Sequence, residues 1–121
     1  MKQDVMKCPA ELTIDVIGGR WKALIVWVLL SGPRRLSDLK RGMEECSTRT
    51  NISQRMIIRQ LRELEEHGVV NREVFREVPP RVEYSLTPLG YSLRTVLDVL
   101  CQWGKECQAV HREEAMVETA L

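Results

Sequence analysis

Apolar residues recur with helical periodicity in the first part of the chain, in segments separated by glycine and proline. Pro9 can open a helix at its first position, where its missing N–H costs nothing, and Gly18 can close it, so residues 9–17 are predicted to be helical. The next segment, Trp21–Leu30, is almost entirely apolar and is predicted to be the central helix of the core. The Ser-Gly-Pro sequence at 31–33 ends this helix.

A polar loop is predicted to join the next two helices. Ser37 is expected to cap a short helix that runs to about Met43, and residues 44–51 are polar and irregular, as in a loop. Ser53 is expected to cap a longer helix that ends at Gly68, a helix-terminating glycine. The apolar stripe of this longer helix recurs at helical spacing and consists of Ile57, Leu61 and Leu64.

Beyond this helix the pattern changes to alternation. Residues 69–86 read as two strands, and Pro79-Pro80 lies between them, which predicts a hairpin with a proline-rich tip. Thr87-Pro88 then opens a last long helix over about 88–117. The fold is therefore predicted to be mostly α with a small β-hairpin, a winged helix-turn-helix whose helix-turn-helix spans 37–68.

Length and composition set the class of protein. A chain of 121 residues with 44% hydrophobic and 29% charged residues is expected to form one packed domain over residues 1–121. No apolar run approaches the roughly 20 residues that a membrane span needs. The polar N-terminus lacks the apolar segment of a secretory signal, so a cytoplasmic protein with no membrane partner is expected.

Charge is distributed unevenly along the chain, although the net charge is only +1. Residues 1–62 contain 12 Lys and Arg against 6 Asp and Glu, whereas residues 63–121 contain 6 against 11. This asymmetry suggests a basic face for a polyanion on one part of the molecule.

The helix that follows Ser53 has the chemistry of a DNA-reading helix. A helix in the major groove reads bases with side chains near its N-terminus, where Arg suits guanine and Gln suits adenine. No acidic residue occurs from Ile52 to Arg62. The alternative is a solvated face with Arg59–Glu63 and Arg62–Glu66 pairs. The candidate DNA contacts in the helix-turn-helix are Ser37, Ser53, Gln54, Arg55, Met56, Arg59, Gln60 and Arg62.

The hairpin tip also carries arginines. Arg76 and Arg81 flank Pro79-Pro80, and proline cannot donate to a strand ladder, so the tip is expected to project. A projecting loop with arginines suits the phosphate backbone or a narrow minor groove. A rigid exposed turn without a DNA contact is the alternative.

Several long strings resemble the HxlR-type regulators, relatives of the MarR family of winged-helix repressors. The matching segments are Cys8-Pro9, Ile17–Lys22, Arg35–Leu39, Ile52–Ile57, Leu61–Val70 and Val78–Gly90. The resemblance implies a dimeric DNA-binding regulator, with Ser53–His67 as the recognition helix and Arg76–Arg81 as the wing. The segment 44–51 is longer than the turn in similar regulators, and it is expected to tilt the recognition helix or to add a contact through Arg49.

The last helix is predicted to mediate dimerisation. It carries a broad apolar stripe that one small domain cannot bury alone, so a second copy is the expected cover, with a purely intrachain core as the alternative. A two-fold dimer predicts a pseudo-palindromic double-stranded DNA operator with half-sites about 34 Å apart. The predicted interface residues are Leu93, Val96, Leu97, Leu100 and Trp103.

Cys8 is the candidate sensor residue. It lies beside a predicted helix N-terminus, where partial positive charge stabilises a thiolate that an oxidant or small electrophile could modify. Some HxlR-type regulators resemble this design and use a cysteine at the Cys-Pro site, whereas an inert thiol is the alternative. Cys46 is a candidate partner for Cys8. Cys107 and His111 are spaced to share a metal, but two ligands are too few, so a packing thiol and an exposed imidazole are expected.

Other function classes fit less well. The sequence has no Gly-rich phosphate loop, metal triad or nucleophile elbow, so neither an enzyme nor a cofactor is expected. A protein-interaction module on a winged helix and a regulator that responds to a small molecule or metal remain as alternatives.

Overall fold

The computed structural model describes residues 8–48 and 51–120. Arg49, to which sequence analysis gave a potential DNA contact, lies outside these ranges. The element order confirms a mostly α winged helix-turn-helix with one antiparallel hairpin. The elements are α1 (Pro9–Ile17), α2 (Lys22–Leu29), α3 (Leu36–Cys46), α4 (Gln54–Glu66), β1 (Val70–Phe75), β2 (Arg81–Leu86), α5 (Pro88–Tyr91) and α6 (Arg94–Ala120).

Helix α2 lies at the centre of the core, in contact with α1, α3, α4, α6 and β2. Its apolar sequence explains this position, since Ile25, Val26 and Leu29 are fully buried. The predicted stripe of α4 is confirmed as the face that packs on the core, because Leu61 and its two stripe neighbours are at most 1% exposed. Truncation of one such side chain to alanine typically costs about 2–5 kcal/mol. The opposite face of α4 therefore points outward.

Both ends of α4 are fixed by local contacts. Ser53 Oγ accepts a hydrogen bond from Met56 N at 3.1 Å, which confirms the predicted N-cap. Gly68 has φ +75°, and the Val69 amide donates to the Leu64 carbonyl at 3.0 Å just beyond the last turn. Glycine tolerates this left-handed conformation, which ends the helix and starts the hairpin.

The hairpin is tied to the helix-turn-helix by a short bridge. Strands β1 and β2 pair from Val70↔Leu86 to Phe75↔Arg81. Arg34, between α2 and α3, donates its amide to the Tyr84 carbonyl at 2.9 Å and accepts from the Tyr84 amide at 2.8 Å. Sequence analysis missed this bridge, because a single residue after proline carries no strand periodicity.

The helix that precedes α4 differs from its prediction at both ends. It begins at Leu36 with Arg35 as its N-cap residue, so the assignment of Ser37 as a cap was wrong and Ser37 lies exposed in the first turn. The helix continues to Cys46, which means that residues 44–46 are helical instead of loop. The physical reason is that Met43 and its buried neighbours anchor the inner face, and the polar residues after it add one exposed turn.

The predicted single C-terminal helix is divided in two. Thr87 Oγ1 accepts from the Gly90 amide at 3.1 Å and donates to the Gly68 carbonyl, which holds α5 against the end of α4. Ser92 Oγ then donates to the Leu89 carbonyl and competes with the helical hydrogen bonds. As a result α6 starts only at Arg94, although it extends to Ala120. Over the described residues, no helix combines the length and apolar character that a membrane crossing requires.

Candidate nucleic-acid interface

The outward face of α4 is basic and accessible. Its three arginines, Arg55, Arg59 and Arg62, are exposed, and so is Gln54. These side chains line an open groove of about 760 Å³ along the helix. The groove is also lined by Ser53, Met56, Ile58 and Glu63. Most of the residues predicted to contact DNA in the helix-turn-helix are thus brought together on one surface.

Three predicted contacts have different local roles. The hydroxyl of Ser53 is used as the helix cap. Gln60 is half-buried, and its amide nitrogen lies 3.7 Å from the Met56 sulfur. Ser37 belongs to α3, so it lies on a different helix from the other candidates. The exposed polar side chains that remain in the first turns of α4 are Gln54, Arg55 and Arg59.

Glu63 forms an ion pair with another helix instead of with a neighbouring arginine. Its Oε2 lies 2.6 Å from Nζ of Lys22, the first residue of α2. The hydrogen bond and positive charge of Lys22 lower the pKa of the Glu63 carboxyl, with smaller contributions from the charges of Arg59 and His67. Sequence analysis missed this pair, because the two residues are distant in the chain.

The arginines of α4 have no carboxylate partner among the residues that the structure describes. Across residues 8–48 and 51–120, no ion pair involves Arg55, Arg59 or Arg62. The Arg59–Glu63 and Arg62–Glu66 pairs expected for a merely solvated face are therefore not formed. Three unpaired guanidinium groups on one helix face match the chemistry of phosphate and guanine recognition.

The two wing arginines differ in their surroundings. Arg76 is exposed. The guanidinium of Arg81 lies 4.0 Å from the Phe75 ring centroid and forms ion pairs of 3.2 Å with Glu77 and with Glu83. Two carboxylates neutralise Arg81 and hold it within the hairpin. The structure thus gives Arg81 a structural role, and we leave it out of the proposed interface.

The predicted dimer residues fall into two groups. Leu97 is 4% exposed and belongs to the core of its own chain, with Leu93 packed against that core. Leu100 and Trp103 are 50% and 66% exposed. Sequence analysis did not include four further exposed apolar residues, which are Leu12 and Ile14 of α1 and Val99 and Val110 of α6.

All four cysteines are free thiols. Cys8 is exposed and occupies the N-cap position of α1, which confirms its predicted position at a helix N-terminus. Cys46 is exposed at the last residue of α3. Cys107 Sγ lies 4.0 Å from His111 Nδ1, with the thiol half-buried and the imidazole exposed.

A winged helix-turn-helix with an exposed, basic face on α4 is typical of a class of transcriptional regulator. Residues 16–112 match the HxlR-like helix-turn-helix family, and the chain belongs to this family. It is 50% identical over 97 residues to YkvN of Bacillus subtilis (strain 168), an uncharacterised HTH-type transcriptional regulator. That match covers 80% of this chain and 77% of YkvN.

Solved structures agree with this assignment. The reduced form of the redox regulator HypR is 40% identical, with a TM-score of 0.76, over 88% of this chain and 99% of HypR. The reduced form of the transcriptional regulator YodB from B. subtilis is 34% identical, with a TM-score of 0.69, over 84% of this chain and 94% of YodB. The similarity therefore extends over the whole winged-helix domain.

Proposed function

We propose that this protein is a homodimeric repressor that binds a pseudo-palindromic double-stranded DNA site by inserting α4 into the major groove. The observation that carries the proposal is the outward face of α4, on which Arg55, Arg59 and Arg62 have no carboxylate partner within residues 8–48 and 51–120. Arginine forms bidentate hydrogen bonds with guanine and strong contacts with phosphate. Exposed Arg76 at the wing is positioned on the hairpin for a backbone contact.

The test is a binding titration on the DNA upstream of the protein's own gene at several salt concentrations. Arg55→Gln/Arg59→Gln is expected to weaken binding by about 100-fold and to reduce the slope of log Kd against log salt by about 2. The matched control is Arg112→Gln, which neutralises an exposed arginine of α6 and should leave binding unchanged. Wild-type affinity in the double variant would refute the interface on α4, and failure of the wild-type protein to bind the DNA would favour a protein-interaction module.

The dimer rests on the apolar surface that a single chain leaves open. Leu100 and Trp103 of α6 are at least half exposed, and so are Leu12 and Ile14 of α1. Exposed apolar area of this kind is typical of a protein interface. A second copy is the occupant that the two-fold symmetry of an operator requires.

A thiol switch at Cys8 is the effector mechanism that we propose. Cys8 is an exposed thiol at a helix N-terminus, Cys46 is a second exposed thiol, and two solved relatives are described as redox regulators or as treated with diamide. Modification of Cys8 by an oxidant or small electrophile would add bulk beside α1 and alter the dimer that positions both recognition helices.

Diamide treatment tests the switch. It is expected to change DNA affinity in the wild type and to leave Cys8→Ser unaffected, with Cys101→Ser as the matched control at another exposed thiol. If Cys46 is the partner, non-reducing gels will show a crosslinked dimer that Cys8→Ser and Cys46→Ser both abolish. DNA binding that is indifferent to diamide would refute the thiol switch and direct attention to a small-molecule or metal effector.

A further inference from the structure

The ion pair between Lys22 and Glu63 joins the start of α2 to the DNA-facing groove. Lys22 Nζ lies 2.6 Å from Glu63 Oε2, with the lysine side chain 14% exposed and the glutamate 39% exposed. Glu63 also lines the groove along α4 together with Arg55, Arg59 and Arg62. The pair therefore controls where the one carboxylate that lines this groove is placed.

Helix stability alone does not explain a lysine at this position. Lys22 is the first residue of α2, and a cation at the positive end of a helix dipole is unfavourable. The preceding residue, Trp21, provides no side-chain cap. The 2.6 Å contact with Glu63 is the interaction that compensates for this placement.

Without Lys22, Glu63 has an obvious second partner. Arg59 lies one turn earlier on the same helix, and residues at this spacing form ion pairs on helix surfaces. The charge of Arg59 already contributes to the lowered pKa of Glu63, so the two groups interact at their present separation. A Glu63 carboxylate released from Lys22 would rotate toward Arg59 and neutralise it.

We propose that Lys22 is a positioning residue for DNA recognition, because it holds Glu63 at the start of α2 and thereby leaves Arg59 free for DNA. This inference rests on the proposed function of α4 as the DNA-reading helix. It predicts that Lys22 acts through Glu63 and Arg59 and makes no DNA contact of its own. Removal of the Glu63 charge should therefore make Lys22 dispensable.

The test is a double-mutant cycle in DNA affinity, measured by fluorescence anisotropy at several salt concentrations. Lys22→Gln should weaken binding about tenfold and reduce the salt slope by about 1, since Arg59 becomes paired. The double variant Lys22→Gln/Glu63→Gln should bind within about threefold of Glu63→Gln alone, because Lys22→Gln has little effect once the Glu63 charge is absent. Lys22→Arg should retain wild-type affinity, and Lys105→Gln on α6 is the matched charge control.

Each other outcome identifies what has failed. If Glu63→Gln is as harmful as Lys22→Gln and the double variant does not recover, the pair is only a structural tether. If Glu63→Gln strengthens DNA binding by the same factor in the wild type and in Lys22→Gln, Glu63 acts only through its long-range charge. Lys22→Met keeps the apolar stem packed and replaces Lys22→Gln if that variant melts below the assay temperature. If Arg59→Gln binds like the wild type, the proposed function fails together with this inference, whereas a weak Arg59→Gln without rescue overturns the inference alone.

Discussion

At the scale of single residues, the surroundings of each arginine decide its role. Arg81 and Arg76 lie on the same hairpin, yet Arg81 is held by Glu77, Glu83 and the Phe75 ring, whereas Arg76 is exposed. A paired and stacked guanidinium stabilises the hairpin, and a free one is available to an anion. Arginine content alone therefore does not show how many guanidinium groups are available to an anion.

Substitution of the two wing arginines is predicted to affect different properties, namely stability for Arg81 and DNA binding for Arg76. Arg81→Gln should lower the free energy of unfolding by about 1 kcal/mol, because it removes the stacking contact and two partly exposed ion pairs. Arg76→Gln should leave stability unchanged and weaken DNA binding severalfold. Urea denaturation and DNA titration of both variants check these two predictions. A loss of stability in Arg76→Gln together with a loss of DNA binding alone in Arg81→Gln would contradict them.

Glu63 is predicted to contribute a pH-dependent term to stability. Its pKa in the folded state is lowered from the ordinary value of 4.5, mainly by Lys22, so its contribution is present above pH 4.5 and is lost as the pH falls through the lowered value. The difference in unfolding free energy between wild type and Glu63→Gln should shrink below about pH 4.5. A difference in unfolding free energy that grows as the pH falls would contradict a stabilising ion pair between Lys22 and Glu63.

At the scale of elements, the ends of the helices are determined by caps and by tertiary contacts. Ser53 and Thr87 both cap helices as their sequence context indicates. Ser37 does not cap a helix, because α3 begins at Leu36 and Arg35 occupies the N-cap position. A serine before an apolar run is therefore a good indication of a nearby helix start, but the exact residue depends on how the turn packs.

Two serine substitutions test the cap assignment. Ser53→Ala should lower the free energy of unfolding by about 1 kcal/mol and weaken DNA binding, because the first turn of α4 loses its cap. Ser37→Ala, the matched control, should change stability by less than about 0.5 kcal/mol. Thermal denaturation of both proteins gives the comparison, and equal losses would show that Ser37 has a capping role after all.

At the scale of the whole molecule, apolar surface remains on α6 after the core is complete. Leu97 and Leu93 complete the chain's own core, while Leu100 and Trp103 remain exposed on the same helix. The helix thus has an inner segment that serves the monomer and an outer face that suits a second copy.

Dimerisation is predicted to depend on the Trp103 face. Trp103→Lys should convert the dimer to a monomer at micromolar concentration, and DNA binding should weaken because two half-sites are no longer bound together. Met116→Lys is the matched control, since Met116 is 72% exposed but lies on a different side of α6. Sedimentation equilibrium measures the association constant of both variants. An unchanged association constant in Trp103→Lys would show that the Trp103 face of α6 is not part of the dimer interface.

The features that sequence predicts best here are those with a local cause. The stripe of α4 and its Ser53 cap depend on residues within a few positions of one another, and both are confirmed. The Lys22–Glu63 pair and the Arg34 bridge depend on packing between distant segments, so no periodicity reveals them. The basic face of the candidate site was therefore predictable, whereas the ion pair of Glu63 and the bridge between the hairpin and the helix-turn-helix were not.

Methylation interference on the upstream DNA tests whether α4 reads bases in the major groove. Methylation of guanine N7 blocks the major groove, so a dimer that reads DNA with α4 should be excluded by methylated guanines in two clusters about 34 Å apart. Two such clusters are expected for the wild-type protein. Tight binding that is insensitive to guanine N7 methylation, or interference confined to the minor groove, would contradict the assignment of α4 as the DNA-reading helix.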